Sequence, residues 1–358
     1  SLKALEGFQR FLKELLVVSR IARERQMTKD TKNNSSQIEI LLATYNGESY
    51  ITEQIDSIKA QSYENWTLSI NDDGSADATK TIVKSIANDE QRINLKSLSN
   101  TRHNAAGNFL ALLADSSAPY IMFCDQDDVW HPDKIALEMN AMKAAEASYG
   151  MDGPLLIFTD SSITDKDLNV INPSHVSTVP FKPDNITLAQ LMVSNVAQGC
   201  SMLLNRPLVK KMLTHQLPDV FIMHDYWAIV LAKIFGKVEF LPISTLKYRQ
   251  HESNAWGASK NALTAKNGIV HVLKDPTILK GWLSKLSQDE KAFIPRAQKI
   301  LEMLSTQLSE DDRIIIERIS RFEEMSRAEK YSLIRDYELI RNQRSYYSKL
   351  CQLLGIML

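Results

Sequence analysis

The feature that most constrains the fold is a series of short apolar segments, between residues 38 and 124, that alternate with stretches of helical periodicity. Each apolar segment is bounded by polar turn residues, which is typical of buried strands. The predicted strands are Ile38–Thr44, Trp66–Ile70, Ile93–Leu98 and Tyr120–Cys124, with Leu155–Thr159 and Val238–Tyr248 further on. The helices between them are predicted in Glu48–Gln61, Ala76–Ala87 and around Asn108–Leu113. This alternation predicts an α/β fold with a mostly parallel sheet flanked by helices.

The pattern changes twice along the 358 residues and divides the chain into three predicted parts. Residues 1–37 combine an amphipathic helix with a polar linker, residues 38–260 carry the strand–helix alternation, and residues 261–358 show only helical periodicity. The sequence starts at Ser1 and not at Met, so we expect the natural chain to extend further upstream.

Charge and cysteine content exclude several classes of protein. Lys and Arg number 42 against 43 Asp and Glu, which argues against a dedicated nucleic-acid binder. The three cysteines are too few and too scattered for a disulfide framework, so we expect a reducing, cytoplasmic setting. No run approaches the ~20 apolar residues that span a bilayer.

Polar residues follow three of the predicted strands, at the sheet edge where open parallel sheets bind ligands. They are Thr44–Gly47, Asn71–Ser75 and Asp125–Asp128. The first turn lacks the Gly-x-Gly-x-x-Gly pattern of dinucleotide-binding folds, and the chain contains no P-loop sequence. The sequence therefore contains neither motif that would indicate hydride transfer with NAD or P-loop ATP hydrolysis.

The acidic cluster after the fourth strand is the sharpest chemical signal. Asp125, Asp127 and Asp128 would repel each other unless a cation neutralised them. Ligation by oxygen suits Mn²⁺ or Mg²⁺, which take the rest of their shell from phosphates and water. The alternative is an exposed acidic turn, which the apolar strand leading directly into the cluster disfavours.

Six segments, taken in order, resemble the family 2 glycosyltransferases of GT-A fold. Their DQDDVW form is especially similar to bacterial rhamnosyltransferases that build surface polysaccharides. The segments are 43–66, 71–77 (NDDGSAD), 123–134 (FCDQDDVWHPDK), 198–200 (QGC), 224–227 (HDYW) and 248–251 (YRQH). The resemblance covers about residues 38–257 and implies a catalytic domain over 38–260 with a helical C-terminal extension.

The resemblance also implies roles for the residues of these segments. Asp72 would accept a hydrogen bond from the pyrimidine base, and Asp73 would only shape the turn. Asp127 and His251 would ligate the metal that bridges the donor diphosphate. The nucleotide-sugar would be bound by Thr44, Tyr45, Asn46, Asp72, Asp125, Gln126 and Asp128.

The resemblance makes Asp225 the general base that deprotonates an acceptor hydroxyl. The sequence supports this because Asp225 opens an apolar helix, whose N-terminal amides favour an ionised carboxylate. The alternative is a helix cap, a common position for Asp. Gly199 and Trp227 would line the acceptor site, although Trp227 could equally fill the core.

The implied activity is metal-dependent, inverting transfer of a sugar from a nucleoside diphosphate to a glycan or lipid-linked glycan. The donor expected first is dTDP-L-rhamnose, and a UDP-hexose or UDP-galactofuranose is the alternative. A nucleotidyltransferase would need a Gly-rich basic loop after the first strand, which is missing. A non-catalytic glycan- or partner-binding module is disfavoured because Asp72, Asp127, Asp225 and His251 are all present.

Both terminal regions pair basic residues with aromatic and aliphatic ones, which suits an anionic membrane surface. For the C-terminal region, packing on the catalytic domain is favoured because Asp336 and Glu338 dilute the charge. Peripheral contact with the inner face of the cell membrane remains the alternative.

Overall fold

All four strands predicted in the N-terminal half are present in the computed structural model, which describes residues 36–99, 104–179, 181–251 and 291–339. They are β1 (Ile38–Thr44), β2 (Trp66–Asp72), β3 (Ile93–Lys96) and β4 (Tyr120–Cys124). They lie in the order β3-β2-β1-β4, and each pairing between neighbours is parallel. The α/β fold class predicted from the sequence is confirmed.

The second half of the sheet is mixed. It contains β5 (Val129–Trp130), β6 (Leu155–Thr164), β7 (Val170–Asn172), β8 (Met202–Asn205) and β9 (Lys237–Arg249). β8 lies between β4 and β6 and runs antiparallel to both, whereas β9 is parallel to β6. β5 and β7 add antiparallel pairings at β9 and β6. Parallel pairing therefore dominates only among β1–β4, because β8 reverses the chain direction at the centre of the sheet.

Two helical layers cover the sheet because successive residues of a buried strand face opposite sides. In β1, Leu41 packs into one apolar cluster, and Ile40 and Leu42 pack into the other. The layer over Ile40 contains α1 (Ile51–Lys59), α2 (Thr79–Asp89) and α4 (Lys134–Tyr149). The layer over Leu41 contains α3 (Ala105–Asp115), α5 (Leu188–Val193), α6 (Arg206–Thr214) and α7 (His224–Phe235).

The described C-terminal helices belong to the same core. They are α8 (Phe293–Leu304), α9 (Glu310–Ser320) and α10 (Arg327–Asp336). Phe293, Ile300 and Ile316 are buried in the cluster that also holds α7. Within residues 291–339, the helical region therefore packs on the α/β domain. The predicted N-terminal helix, the linker up to residue 35 and the basic segment from 340 onward lie outside the described residues.

The register of the parallel strands brings their carboxyl ends to one edge. Thr44 at the end of β1 lies opposite Asp72 at the end of β2, and Leu42 lies opposite Cys124. The polar segments that follow these three strands therefore start side by side. Within the described ranges, no helix combines the length and the apolar character needed to cross a membrane.

Candidate active site

A cavity of about 980 Å³ opens where these polar segments meet. One wall, here called the strand side, consists of residues at the carboxyl ends of β1, β2 and β4: Thr44, Tyr45, Asp73, Asp125, Gln126 and Asp127. Another part of the lining, called the helix side, comes from later segments: residues 193–199, 221–223, 225–226 and Arg296. The predicted nucleotide-binding segments and the predicted base therefore share one cavity.

Gln126 ties the turn after β1 to the turn after β4. Its Oε1 accepts hydrogen bonds from the Thr44 hydroxyl (2.6 Å) and the Tyr45 amide (2.9 Å). Its Nε2 donates to the Tyr45 carbonyl at 3.1 Å. Gly47 leaves room for this amide, because a Cβ at that position would lie 2.4 Å from Gln126 Oε1 and would displace the end of the Gln126 side chain. Thr44, Tyr45 and Gln126 thus form one hydrogen-bonded unit at the cavity.

The turn after β2 exchanges the expected roles of its two carboxylates. Asp72 accepts hydrogen bonds from the amides of Gly74 (3.2 Å) and Ser75 (3.0 Å) and from the Ser75 hydroxyl (2.5 Å). Asp73 is the carboxylate that lines the cavity. Asn46 also holds this turn, since its Oδ1 accepts from the Ala76 amide at 2.8 Å. The expectation that Asp72 faces the base and Asp73 shapes the turn is corrected, because the Asp72 carboxylate is held within the turn and Asp73 is the one of the two that lines the cavity.

Asp127 and His251, far apart in the sequence, are brought together at the cavity. The Asp127 Oδ2 atom lies 2.7 Å from His251 Nε2, and both side chains are largely buried. The His251 ring also packs against Tyr50, with 4.6 Å between ring centroids. A carboxylate and an imidazole held this close can share a divalent cation.

Asp128 lies behind the cavity, so the expected contact with the donor sugar is corrected. It is fully buried, and its Oδ1 accepts the Arg249 amide at 3.2 Å. Its Oδ2 has no hydrogen-bond partner in the described part of the chain. Burial and the charge of Asp127 raise the pKa of the Asp128 carboxyl well above its usual range.

The residues present fit a divalent cation. Asp125, Asp128 and Cys200 each offer a ligand atom within 4.8 Å of the others, next to the Asp127–His251 pair. Desolvation, then the charges of Asp127 and Asp225, raise the pKa of Asp125 to about 7. Mutually repelling carboxylates and the unpartnered Asp128 oxygen are the environment that a bound cation stabilises.

Asp225 lies in the first turn of α7 and faces the cavity from the helix side. Its Oδ2 accepts the Gly199 amide at 3.1 Å, and its Oδ1 accepts the Tyr226 amide at 2.6 Å. Desolvation raises the pKa of the carboxyl to about 6, although these amides lower it. The N-cap of α7 is Met223, with no side-chain cap bond, so the helix-cap alternative for Asp225 does not hold.

Gly199 is needed because Asp225 and its neighbour pack against the Gly199 backbone. A Cβ there would lie 3.1 Å from His224 Nε2 and 3.4 Å from the Asp225 Cβ. The buried His224 ring stacks on Phe109 at 4.1 Å and meets Phe123 edge-on at 4.5 Å. Burial lowers the pKa of His224 to about 3, so it is a neutral packing residue beneath Asp225.

Trp227 is a core residue and not a wall of the acceptor site. Its side chain is fully buried, its Nε1 donates to the His215 carbonyl at 2.7 Å, and its ring packs against Phe221. It points away from the cavity because Asp225 and Trp227, two residues apart on a helix, lie on different faces.

Sequence reasoning missed Arg296, which α8 contributes to the helix side of the cavity. Arg296 lies beyond all the motifs found in the sequence, and the helical periodicity around it does not indicate a functional residue. Only the fold brings it to Tyr226, whose ring lies 5.0 Å from the guanidinium carbon.

The family model described as glycosyl transferase family 2 matches residues 39–212, which contain the whole strand side. Residues 39–212 form a glycosyltransferase family 2 domain. The matched segment ends before Asp225 and His251, so the roles of these two residues rest on the geometry. The family match and the α/β architecture confirm the predicted GT-A fold class.

This glycosyltransferase is similar to bacterial proteins named for polysaccharide synthesis. It is 24% identical to TuaG of Bacillus subtilis, named as a teichuronic acid biosynthesis glycosyltransferase, over 62% of this chain and 84% of TuaG. It is 27% identical to the dTDP-rhamnosyl transferase RfbG of Shigella flexneri, over 61% of this chain and 74% of RfbG.

A solved structure shares the fold. It is residues 1–349 of S. aureus TarS in complex with UDP-GlcNAc, with a TM-score of 0.51 and 15% sequence identity. The similarity covers 90% of this chain and 89% of the TarS fragment. At this identity the likeness concerns the fold alone.

Proposed function

We propose that this family 2 glycosyltransferase inverts the anomeric centre as it transfers a sugar from a nucleoside diphosphate to a hydroxyl of a bacterial surface glycan. The named roles of RfbG and TuaG support the process, and RfbG supports L-rhamnose from dTDP-L-rhamnose as the donor. We also propose residues 38–260 as the catalytic domain and a cytoplasmic location, with peripheral contact at the inner face of the cell membrane as the alternative.

The observation that carries the proposal is one cavity with a carboxylate on each side. Asp225 on the helix side has a raised pKa near 6, and Asp125 and Asp127 lie on the strand side. A base with this pKa is ionised at neutral pH yet can still accept a proton, which is the balance that general-base catalysis needs.

On the strand side, different residues are proposed to bind different parts of the nucleotide-sugar. Thr44, Tyr45 and Gln126 form one edge of the nucleotide site, and Asp73 replaces Asp72 as the carboxylate available to the base. Asp125, Asp127 and His251 would hold Mn²⁺ or Mg²⁺. When bound, the cation neutralises charge that develops on the diphosphate as it leaves.

On the helix side, Asp225 takes the proton of the acceptor hydroxyl. The hydroxyl oxygen then forms a bond to the anomeric carbon while the bond from that carbon to the diphosphate oxygen breaks, and the electron pair leaves with the diphosphate. In the proposed reaction the hydroxyl attacks from the face opposite the leaving diphosphate, which inverts the anomeric centre.

The alternative donor is a UDP-hexose or UDP-galactofuranose. The residues on the strand side supply hydrogen bonds and charge to a base and a diphosphate, and these groups are similar in UDP and dTDP. The choice of sugar therefore rests on the named relative, whose identity to this chain is 27%.

A thermal-shift screen tests this proposal. The protein is mixed with dTDP, UDP, GDP and their sugars, each with and without Mn²⁺, because a ligand that binds the folded state raises its apparent stability. We expect dTDP and dTDP-L-rhamnose to give the largest shifts, and only with the cation. No shift with any nucleotide would contradict the proposed activity, whereas a preference for UDP would favour the alternative donor.

A further inference from the structure

The helix side of the cavity contains a cation that the transfer step described above does not use. Arg296 lies in the first turn of α8, and its Nε donates to the Val220 carbonyl at 3.1 Å. Its Nη1 donates to the carbonyls of Met192 (2.8 Å) and Val193 (3.2 Å), at the end of α5. Arg296 thus joins the two segments that form the helix side.

These contacts leave part of the guanidinium unused. Arg296 Nη2 makes no hydrogen bond in residues 36–99, 104–179, 181–251 and 291–339, and no carboxylate pairs with Arg296 there. Its bonded partners are neutral carbonyls and the face of the Tyr226 ring. An arginine stays charged at all accessible pH values, so the N–H groups of Nη2 can donate charge-assisted hydrogen bonds to a phosphate or a carboxylate.

The position of Arg296 indicates which substrate would supply the anion. All its described contacts are on the helix side, and Tyr226 directly follows the proposed base Asp225. The strand side, which would hold the donor diphosphate, has its own cation-binding carboxylates. Arg296 therefore belongs to the side of the cavity that is proposed to bind the acceptor.

A second feature supports a functional role for this wall. Ile222, which lines the cavity between Val220 and Asp225, has a φ of 63°. With its ψ of −53°, Ile222 lies at the centre of a tight three-residue turn, a strained conformation for a β-branched residue that its surroundings must hold in place. The bond from Arg296 to Val220, two residues earlier, is one of the contacts that hold this loop.

We propose that Arg296 binds the acceptor, and that the acceptor carries an anionic group, either phosphate or carboxylate. The helical region that follows the catalytic domain thereby contributes to acceptor choice. This inference rests on the proposed function, because it assigns the helix side to the acceptor.

The test is a binding titration in the presence of saturating dTDP or UDP, whichever binds, with Mn²⁺. The probes are glucose 1-phosphate, glucuronic acid and the neutral methyl glucoside. We expect the wild-type protein to bind one or both charged probes at least tenfold more tightly than methyl glucoside. Arg296→Gln should remove this preference, since a charge-assisted hydrogen bond contributes about 10- to 100-fold in affinity. The charged probe that is preferred distinguishes phosphate from carboxylate.

Two further variants separate binding from stability. Lys299→Gln removes a charge from the same helix, at a partly exposed residue that pairs with Glu302, and should change nothing. Arg296→Lys keeps the charge but cannot reach all three carbonyls, so it should keep a reduced preference for the charged probe even with a lower melting temperature. Equal binding of charged and neutral probes by wild type would overturn the proposal. An equal loss of affinity for all three probes in Arg296→Lys would also overturn the proposal, because Arg296 would then serve only to hold the two segments together.

Loss of nucleotide binding in wild type would instead count against the proposed function. Because nucleotide affinity is read in the same samples, the two failures are distinguishable.

Discussion

The two sides of the cavity differ in how the chain builds them. Each strand-side residue directly follows a buried strand, and the parallel register places Thr44 opposite Asp72 within one local unit. The helix side is assembled from α5, the loop before α7 and α8, joined by hydrogen bonds such as the one from Arg296 to Met192, 104 residues apart. The proposed donor side is thus built into the strand ends, whereas the proposed acceptor side depends on packing between distant elements.

If the two sides work separately, changing the base should abolish transfer and spare donor binding. Asp225→Asn should lower the transfer rate by about 10²–10⁴-fold, the usual contribution of a general base. The affinity for the nucleotide with Mn²⁺ should stay within about twofold of wild type. Steady-state kinetics and calorimetric titration on the same preparation measure both.

The matched control for this change is Asp219→Asn, which removes an exposed carboxylate just before the same helix. It should leave both quantities unchanged. Turnover near wild-type level in Asp225→Asn would show that another group accepts the proton.

A change at the proposed metal site should affect nucleotide binding on the strand side. Asp127→Ala removes the carboxylate 2.7 Å from His251, so Mn²⁺-dependent nucleotide affinity should fall by about 10- to 100-fold, the range for losing a strong charged contact. Titration of nucleotide with and without Mn²⁺ is the measurement. Asp152→Ala, at an exposed position, is the control. If Asp127→Ala retains full stimulation by Mn²⁺, the metal site lies elsewhere.

A smaller change at Gly199 tests how closely the helix side must fit. Gly199→Ala would place a Cβ 3.1 Å from His224 Nε2 and 3.4 Å from the Asp225 Cβ, so the His224 ring beside the base would have to shift by a few tenths of an ångström. We expect transfer to fall about tenfold, because small misplacements of catalytic groups are costly. Nucleotide affinity should not change.

Gly153→Ala adds the same methyl group where its nearest contacts are at 3.8 Å, so it should behave as wild type. Equal kinetics for the two variants would mean that the Gly199–Asp225 contact is not needed for transfer.

The smallest expected effect is on stability, and it tests whether Trp227 belongs to the core or to the cavity wall. Trp227→Phe loses the hydrogen bond to the His215 carbonyl and some buried volume, so the free energy of unfolding should fall by about 1–3 kcal/mol. Trp130→Phe is the matched control, since the Trp130 Nε1 has no hydrogen-bond partner among the described residues. A raised acceptor KM in Trp227→Phe, without loss of stability, would return Trp227 to the acceptor wall.

The sequence predicted the strands and the polar segments that follow them for a physical reason. Short apolar runs such as those of β1 and β4 end at polar turns, so both the strands and the residues after them are visible in the sequence. The close approach of Asp127 and His251 agrees with the roles that family resemblance assigned to them.

The errors arose where neighbouring residues are chemically alike. Asp72 and Asp73 have the same side chain, and only the turn geometry decides which one faces the cavity. A tryptophan suits both a sugar-stacking wall and a core, so the sequence did not show that the Trp227 side chain of α7 is buried. Arg296 reaches the site only through tertiary packing, which no local pattern reports.

The pH dependence of transfer in the unmodified protein tests the central claim, that Asp225 is the base, most directly. Desolvation raises the pKa of Asp225 to about 6, so the carboxyl is protonated and unable to accept a proton below that pH. With donor, acceptor and Mn²⁺ saturating, the transfer rate should fall about tenfold per unit as the pH drops below about 6, and should be level above it. A rate that stays constant down to pH 5, in protein that remains folded, would contradict the account.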